Sequence, residues 1–359
     1  MAFIDHKARL LGAAAAIGAG LLLAAPAALA QDASKGKIVI GNWDGYMPPD
    51  LLERFKAATG YDAELTVHAT NEEVMGKVVA GGGKGYDVLF VSAPFAQALH
   101  ALNLSAPIDH AKIPNLANLY PEGSQLKYDP GNTFSVPYAW GTTGLCYRTD
   151  LVEGSPDSWQ ALMNPPDALK GKITMLATDR WLLGAGFKSL GFSVNETDPA
   201  KIDQARDALI AAKKNLLSYD DTTFYSKLVS GEASLVHAWD GWCNYGIAEN
   251  KDITYVIPKE GTDLWTDTMV VTAASENKDA AHAFIDFVLS EDVGKWVTEN
   301  IMYKTPNKKA MEALDPALLE QFPNMKMTPA ELLAQEQMVD VGQTQKAYSR
   351  TVTEIMNAK

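Results

Sequence analysis

Strand and helix signals alternate along the first part of the chain, and this alternation limits the fold more than any other feature. Three short apolar runs predict strands, at 38–42, 63–67 and 86–91. Two helical patterns lie between them, one after Asp50 and ending before Gly60, the other opening at Asn71 and ending before Gly81. A βαβαβ order is typical of a mostly parallel sheet with helices on both faces, so we predict an α/β fold.

The rest of the chain continues this pattern. Further strands are predicted at 134–138, 144–147, 173–176, 234–238, 254–257 and 268–273. Helices are predicted at 200–213, 223–230, 280–288 and 290–300, and the tail from about 308 is largely helical. A chain of this length exceeds one ordinary core, and we expect two domains.

Residues 1–30 have the pattern of a secretory signal peptide. Two basic residues precede an uncharged apolar run at 10–25, and Ala28-Leu29-Ala30 is a small-x-small cleavage site. The alternative is a retained membrane anchor, which Pro26 and the cleavage site disfavour. We therefore expect an exported, soluble protein, most simply in a bacterial periplasm.

The charge of the chain bears on its partners. The formal net charge is -13, and because residues 1–30 carry a net +1, their removal leaves -14. An acidic chain is a poor partner for nucleic acid and mildly favours a cationic ligand through electrostatic steering. The cysteines are Cys146 and Cys243, and an oxidising compartment permits a disulfide between them. Two buried free thiols are the equally open alternative.

Motifs for catalysis, metals and cofactors are missing from the sequence. It contains no GxSxG, HExxH or Walker motif, and no CxxC. None of its six histidines is paired at metal-ligand spacing, and His237 on a predicted buried strand is better explained as a core residue than as a base. We therefore predict a protein that is not an enzyme and uses no cofactor or metal.

Aromatic residues with carboxylates close by, at or near predicted strand ends, point to a cation site. An aromatic face attracts positive charge, and a carboxylate accepts a charge-assisted hydrogen bond from an ammonium. For the first pair of rings, ordinary core aromatics are the alternative. The clusters are Trp43-Asp44 with Tyr46, Asp179-Arg180-Trp181, Trp239-Asp240, and Trp265 with Asp267.

These clusters belong to a longer series of motifs. The series includes Asn42-Trp43 with Tyr46 and Pro48-Pro49, Tyr86-Asp87-Val88 with Ser92, 136–141 (VPYAWG), Ser158-Trp159, Trp239-Asp240-Gly241, 258–261 (PKEG) and 303–307 (YKTPN). Their order and spacing resemble the periplasmic spermidine/putrescine-binding proteins, the solute receptors of polyamine ABC importers. The resemblance extends from about Lys37 to the last helix.

The resemblance implies a two-lobe periplasmic binding protein fold of type II. Each lobe would be a mixed sheet flanked by helices, with the ligand in the interlobe cleft. One lobe would comprise 35–141 plus 269–308, and the other 142–268 plus 309–359. The implied partners are a small cationic amine and inner-membrane ABC permease subunits, and we expect a monomer. A receptor that presents its ligand to a sensor instead remains open.

The resemblance also implies the ligand-binding residues. Ser92 matches a hydroxyl that borders the site, and Asp267 matches the carboxylate that holds one amino group. Asp44 and Asp240 are added as carboxylates adjacent to the rings. The walls that enclose the methylene chain match Trp43, Tyr46, Trp239, Trp265 and Tyr303.

Three positions depart from the family pattern, all toward one end of the pocket. Trp181 aligns with an acidic residue for the far amine, although a two-residue shift would place Asp179 there. Pro94 replaces a frequent tyrosine, and Met338 replaces a usual glutamine. A buried second ammonium without a carboxylate would cost several kcal/mol.

The loss of that carboxylate leaves an alternative ligand open. A methylated or quaternary amine, or a zwitterion whose acid end reaches Arg180, would avoid an unpaired second ammonium. Alternatively, another carboxylate substitutes from a shifted position: Asp179, Asp220, Asp221 or Asp240. For Asp220 and Asp221, capping of the following helix is the simpler explanation.

Overall fold

The computed structural model describes residues 35–358, so the predicted signal peptide at 1–30 lies outside the described residues. Strands and helices alternate as expected for an α/β protein. The strands are β1 Lys37–Asn42, β2 Asp62–Val67, β3 Val88–Ser92, β4 Val136–Arg148, β5 Ile173–Met175, β6 Ser218–Tyr219, β7 Leu235–Trp239, β8 Ile253–Val256, β9 Asp263–Val271 and β10 Glu336–Gln337. None of the helices in this part of the chain is both long enough and apolar enough to cross a bilayer.

Helices lie between and after these strands in the chain. They are α1 Leu51–Thr59, α2 Asn71–Ala80, α3 Ala93–Ala101, α4 Gln160–Met163, α5 Asp179–Ser189, α6 Pro199–Lys213, α7 Phe224–Ser230, α8 Asp240–Glu249, α9 Lys278–Val288, α10 Glu291–Trp296, α11 Lys308–Glu312, α12 Pro316–Gln321, α13 Pro329–Leu333 and α14 Thr344–Asn357. The helix predicted at 290–300 is divided, because α10 passes into a single π-type turn, Val297–Ile301. That turn ends at Met302, which has a φ of 63°.

The strands form a mixed sheet in the order β2-β1-β3-β9-β4-β7-β5-β6, with β10 beside β9 and β8 beside β4. The first three strands are parallel, as the βαβαβ pattern predicts. β9 is antiparallel to both β3 and β4. Farther along, β5 is parallel to β6 and β7. The α/β prediction is confirmed.

The prediction of two strands at 134–138 and 144–147 was wrong, because β4 is one continuous strand. Its glycines mark close approaches rather than a turn. A Cβ at Gly141 would lie 2.4 Å from the ring of Trp265, and one at Gly144 would lie 2.6 Å from a backbone oxygen of β8. The first half of β4 pairs with β9, and the second half pairs with β7 and β8. One strand therefore serves both halves of the sheet.

β9 begins earlier than the predicted strand at 268–273. It includes Trp265 and Asp267, so these are strand residues and not part of a loop. The polar residues at the start of β9 are not typical of a strand, which is why the predicted strand began too late. In the structure, β9 lies between β3 and β4 and has hydrogen-bonded neighbours on both sides.

Two predicted helix starts differ in their capping. Asp50 precedes α1, but its side chain makes no capping hydrogen bond and lies 3.7 Å from Arg54 as an ion pair. Asn71 is the first residue of α2, and the cap is Thr70, whose hydroxyl accepts from the backbone N–H of Glu73 at 3.1 Å. The side chain of Asn71 is therefore free to point elsewhere.

Cys146 and Cys243 form a disulfide, with their Cα atoms 5.8 Å apart. This settles the two alternatives that the sequence left open. The bond joins β4 to α8, the helix that starts at the end of β7. The bond therefore links β4 to the helix that directly follows Trp239.

Candidate functional site

The predicted site residues collect where several strands end. Trp43 follows β1 directly, Ser92 is the last residue of β3, and Trp239 is the last residue of β7. Ligand sites in open α/β sheets lie beyond the carboxyl ends of the strands. Asp267 lies opposite Ser92 in the antiparallel ladder between β3 and β9. β7 runs antiparallel to β4, which has the direction of β3, so Trp239 approaches this position from the other half of the sheet.

Asp267 is the centre of a hydrogen-bond network at this edge. The hydroxyl of Ser92 donates to its Oδ1 at 2.7 Å, and the hydroxyl of Tyr46 donates to its Oδ2 at 2.7 Å. Burial raises the pKa of Asp267 to about 6, while these two hydrogen bonds act in the opposite direction. Among residues 35–358, no lysine, arginine or histidine is paired with this carboxylate. It is therefore oriented but not neutralised, which suits it to accept an ammonium.

A residue that the sequence did not indicate orients Ser92. The side chain of Asn71 is buried, accepts from the backbone N–H of Ser92 at 2.9 Å and donates to its hydroxyl oxygen at 3.1 Å. Because the hydroxyl oxygen already accepts from Asn71, its own proton points to Asp267. From its sequence context, Asn71 was predicted only as the start of a helix. Its position at the start of α2, shortly after the end of β2, was the available signal.

Aromatic rings surround this carboxylate on several sides. The rings of Trp43 and Tyr46 meet edge to face at 5.3 Å, and those of Trp265 and Tyr303 at 4.6 Å. Tyr46 also lies 6.3 Å from Tyr303, so the two pairs are joined. Tyr138, another residue missed from the sequence, donates its hydroxyl to the backbone oxygen of Tyr46 at 2.6 Å. It belongs to the 136–141 motif, which was used only as a family marker.

Trp181 and Trp239 form a second ring pair. They meet edge to face at 5.4 Å, and Trp181 is 8% exposed. Both pack in the same apolar cluster as Trp265 and Tyr303, together with Met338. Within the described chain, the indole N–H of Trp181 is buried and has no hydrogen-bond partner. The surroundings of this ring pair are therefore aromatic and apolar.

Two other carboxylates predicted for the site, Asp44 and Asp240, differ from Asp267 in their environment. Asp44 is exposed beside Trp43. Asp240 is 1% exposed and forms a hydrogen-bonded ion pair with Lys304, which is also buried. Asp240 also accepts from the backbone N–H of Gly241 at 2.9 Å. Its charge is balanced within the protein, so Asp267 and Asp240 are not equivalent.

The substitute carboxylates considered from the sequence fall into two groups. Asp220 is paired with Lys227, and although burial favours its neutral form, hydrogen bonds hold its pKa at about 2. It also accepts from the backbone N–H groups of Thr222 and Thr223, which lie in the turn before α7. The cap residue of α7 is Thr223 and makes no side-chain capping hydrogen bond, so the prediction that Asp220 caps this helix was wrong. Burial raises the pKa of Asp179, which accepts from Ser349, and that of Asp221, which accepts from a backbone N–H. These last two lack a cation partner among residues 35–358.

Arg180 is engaged elsewhere, contrary to the zwitterion hypothesis. Its side chain is 2% exposed. It donates to the backbone oxygen of Val339 at 2.9 Å and to Asn195 at 2.7 Å, and it lies over the ring of Tyr348. A ligand carboxylate would have to displace these partners. The described residues also contain no group of three or more histidine, cysteine or acidic side chains that could hold a metal ion.

Comparisons with known proteins agree with this architecture. The sequence model of bacterial extracellular solute-binding proteins matches residues 50–326. The spermidine/putrescine-binding periplasmic protein of Escherichia coli K12 is 32% identical over 276 residues, which cover 77% of this chain and 79% of that protein. The putrescine/cadaverine-binding protein of Pseudomonas aeruginosa is 29% identical over 92% of this chain and 96% of its own.

A solved structure extends the similarity to the fold. The spermidine/putrescine ABC transporter substrate-binding protein of Streptococcus pneumoniae superimposes with a TM-score of 0.75 at 29% identity, covering 89% of this chain and 98% of its own. The fold is that of an extracellular solute-binding protein. Within that class, the chain belongs to the periplasmic spermidine/putrescine-binding protein family. The predicted resemblance and the type II two-lobe fold are confirmed.

Proposed function

We propose that this protein is the extracytoplasmic receptor of a polyamine ABC importer and binds putrescine or spermidine at the sheet edge described above. The observation that carries the proposal is Asp267, a carboxylate oriented by two hydroxyls, enclosed by aromatic rings and paired with no cation among residues 35–358. The names of the relatives support a polyamine over the quaternary amine or zwitterion considered from the sequence.

One ammonium of the ligand would bind to Asp267. A charge-assisted hydrogen bond of this kind contributes about 1.5–3 kcal/mol. The methylene chain would lie against the faces of Trp43, Trp265 and Tyr303, where apolar contact and cation–π attraction act together. Because all three rings are fixed by neighbouring rings or strands, little side-chain entropy is lost on binding.

The second ammonium would lie near the pair formed by Trp181 and Trp239. No carboxylate occupies position 181, so the attraction there comes from ring faces and from more distant charge. Asp179 and Asp221 are partly buried carboxylates with raised pKa values, and a nearby cation would stabilise their ionised forms. We expect this end to bind a cation more weakly than the Asp267 end does.

Closure of two lobes around the ligand is part of the proposal. The lobe boundaries at 141/142 and 268/269 fall inside β4 and β9, which would serve as crossover strands. The change of partners along β4, from β9 to β7 and β8, supports the first boundary. Closure by hinge motion is common in binding proteins of this architecture.

The site supports binding rather than catalysis. Burial lowers the pKa of His237 to about 3, so this histidine is neutral and suited to a core position. We propose that the protein acts in the periplasm as a monomer, without nucleic acid, and delivers its ligand to inner-membrane permease subunits. Relatives named as periplasmic binding proteins and transporter components support this role.

Calorimetry tests the proposal on the protein purified from a periplasmic extract. Putrescine, spermidine, glycine betaine and γ-aminobutyrate are titrated separately, and each mixture is then checked by NMR for turnover. We expect tight one-to-one binding of a polyamine and unchanged ligand after incubation. Tighter binding of betaine or γ-aminobutyrate than of either polyamine would contradict the proposed ligand, and turnover would contradict the receptor role.

A further inference from the structure

A buried ion pair between Asp240 and Lys304 lies beside the aromatic residues proposed to form the site. Both residues are almost fully buried, at 1% and 3% exposure. Charges of this kind are rarely taken out of water without a partner, because burying an unpaired charge strongly destabilises the folded state. The ion pair therefore joins two segments that are far apart in the sequence.

Each member of the pair is the chain neighbour of a wall residue. Asp240 follows Trp239, and Lys304 follows Tyr303. Asp240 is also the first residue of α8, so its backbone continues directly from β7. A contact between the two charged side chains thus fixes the backbone beneath Trp239 relative to the backbone beneath Tyr303.

The surrounding contacts leave little freedom in this arrangement. The backbone N–H of Thr142, in β4, lies 3.3 Å from Oδ2 of Asp240, and Lys304 also donates to the backbone oxygen of Asn324 at 3.3 Å. A Cβ at Gly241 would lie 2.2 Å from the ring of Tyr303. A Cβ at Gly141 would lie 2.4 Å from Trp265 and 2.5 Å from Asp240. The carboxylate of Asp240 is thus packed among the wall residues but directed at Lys304.

We propose that Asp240 and Lys304 are positioning residues for the ligand site. Their ion pair sets the position of Trp239 relative to Tyr303 and Trp265, and it joins segment 142–268 to segment 269–308 when the rings enclose the ligand. Asp240 contributes no charge to the ligand, because Lys304 neutralises it. This inference rests on the proposed function, since the rings must bind a polyamine for their spacing to affect affinity.

A double-mutant cycle tests the pair. Asp240→Asn and Lys304→Met are made singly and together, and the affinity for spermidine, the melting temperature without ligand and the near-ultraviolet circular dichroism are measured for each. Each single variant leaves one buried charge unpaired and should melt at a lower temperature. The double variant should recover much of this loss, because an uncharged buried pair is tolerated.

Affinity separates positioning from a merely structural role. We expect the double variant to bind spermidine about tenfold or more weakly than wild type despite its recovered melting temperature, with altered tryptophan dichroism bands. Lys304→Arg, which keeps the charge, should bind more tightly than Lys304→Met. The matched control is the exposed pair Glu320 and Lys326, whose nitrogen and oxygen are 2.6 Å apart. Neutralising it should leave affinity and dichroism unchanged.

The outcomes for the pair and for the proposed function are distinct. A stable double variant with wild-type affinity and wild-type dichroism would overturn the positioning role while leaving polyamine binding intact. If wild type itself binds no polyamine, the proposed function fails, and the dichroism alone decides whether the pair positions the rings. Unchanged bands in the stable double variant would then count against it.

Discussion

Ser92 and Asp267 are directly opposite each other in the antiparallel ladder between β3 and β9, and the hydroxyl of one donates to the carboxylate of the other at 2.7 Å. The backbone register therefore fixes the distance between them before any ligand arrives. Asn71 removes the remaining freedom by binding the Ser92 oxygen. The proposed anchor for the ligand is thus preorganised by strand pairing and one buried amide, which would reduce the entropy lost on binding.

Replacing Asp267 with asparagine should weaken polyamine binding by about tenfold or more, because the substitution keeps the shape but removes the charge that an ammonium needs. Calorimetric titration with putrescine measures the effect. Asp279→Asn is a matched control, because Asp279 is an exposed aspartate paired with Lys112. Wild-type affinity in the Asp267 variant would remove this residue from the site.

Affinity should depend on pH through Asp267. Its pKa in the free protein is about 6, and the ligand amines stay protonated throughout the range. Binding should be constant above about pH 7 and weaken by up to about tenfold per unit below pH 6, because the ammonium then competes with a proton. Titrations between pH 5 and pH 8 measure the slope. In Asp267→Asn this slope should be absent, and an equal slope there would assign it to another group.

The stability of the unliganded protein should respond to the same group in the opposite direction. The pKa of Asp267 in the folded state is raised above its ordinary value of 3.8. Between about pH 4 and pH 6 the folded state therefore binds more protons than the unfolded state, and the contribution of this group to stability falls as pH rises. Denaturant unfolding of wild type and Asp267→Asn isolates the effect. A wild-type stability that rises relative to the variant across this range would contradict it.

A carboxylate at position 181 should strengthen binding of a diamine specifically. Trp181→Glu places a counter-charge beside Trp239, where the second ammonium is proposed to lie, and should raise putrescine affinity roughly tenfold relative to Trp181→Gln. The glutamine variant opens the same space without the charge. Butylamine, which has one ammonium, should gain nothing from the charge. Equal gains for both ligands, or none for putrescine, would place the second ammonium elsewhere.

The disulfide should stabilise the fold more than it affects the ligand. Cys146 and Cys243 are separated by 97 residues, and a bond that closes such a loop typically contributes about 2–5 kcal/mol. The double variant with serine at both positions should lose that amount in denaturant unfolding. At temperatures where this variant remains folded, its affinity for putrescine should change by less than about threefold. The reason is that neither cysteine is among the residues proposed to contact the ligand. A larger loss of affinity would link the bond to the placement of Trp239.

Most of the fold could be predicted from local sequence patterns. The βαβαβ region was predicted correctly because apolar runs and glycine stops agree there, as in β1 and α1. β4 and β9 were misjudged for a shared reason. Their glycines and polar residues look like turns in isolation, and only pairing with neighbours on both sides makes them strands. Such pairing is a long-range property that local sequence does not encode.

The site could be predicted only in part. Trp43, Tyr46 and Asp267 were indicated by aromatic and acidic clusters and by resemblance. The roles of Asn71 and of Lys304, the partner of Asp240, could not be predicted. Each role depends on a contact between residues that are far apart in the chain. Lys304 and Asp240 are separated by 64 positions, and Asn71 and Ser92 by 21. A charged residue next to a tryptophan signals either a ligand contact or a buried pair, and only the fold distinguishes them.

A crystal structure of this protein with spermidine bound tests most directly whether Asp267 anchors the ligand. We predict one ligand nitrogen within about 3 Å of the Asp267 carboxylate, and the methylene chain against Trp43, Trp265 and Tyr303. The Asp240–Lys304 contact should be intact beneath them. Spermidine bound with no nitrogen near Asp267, or paired instead with Asp240, would contradict this binding mode.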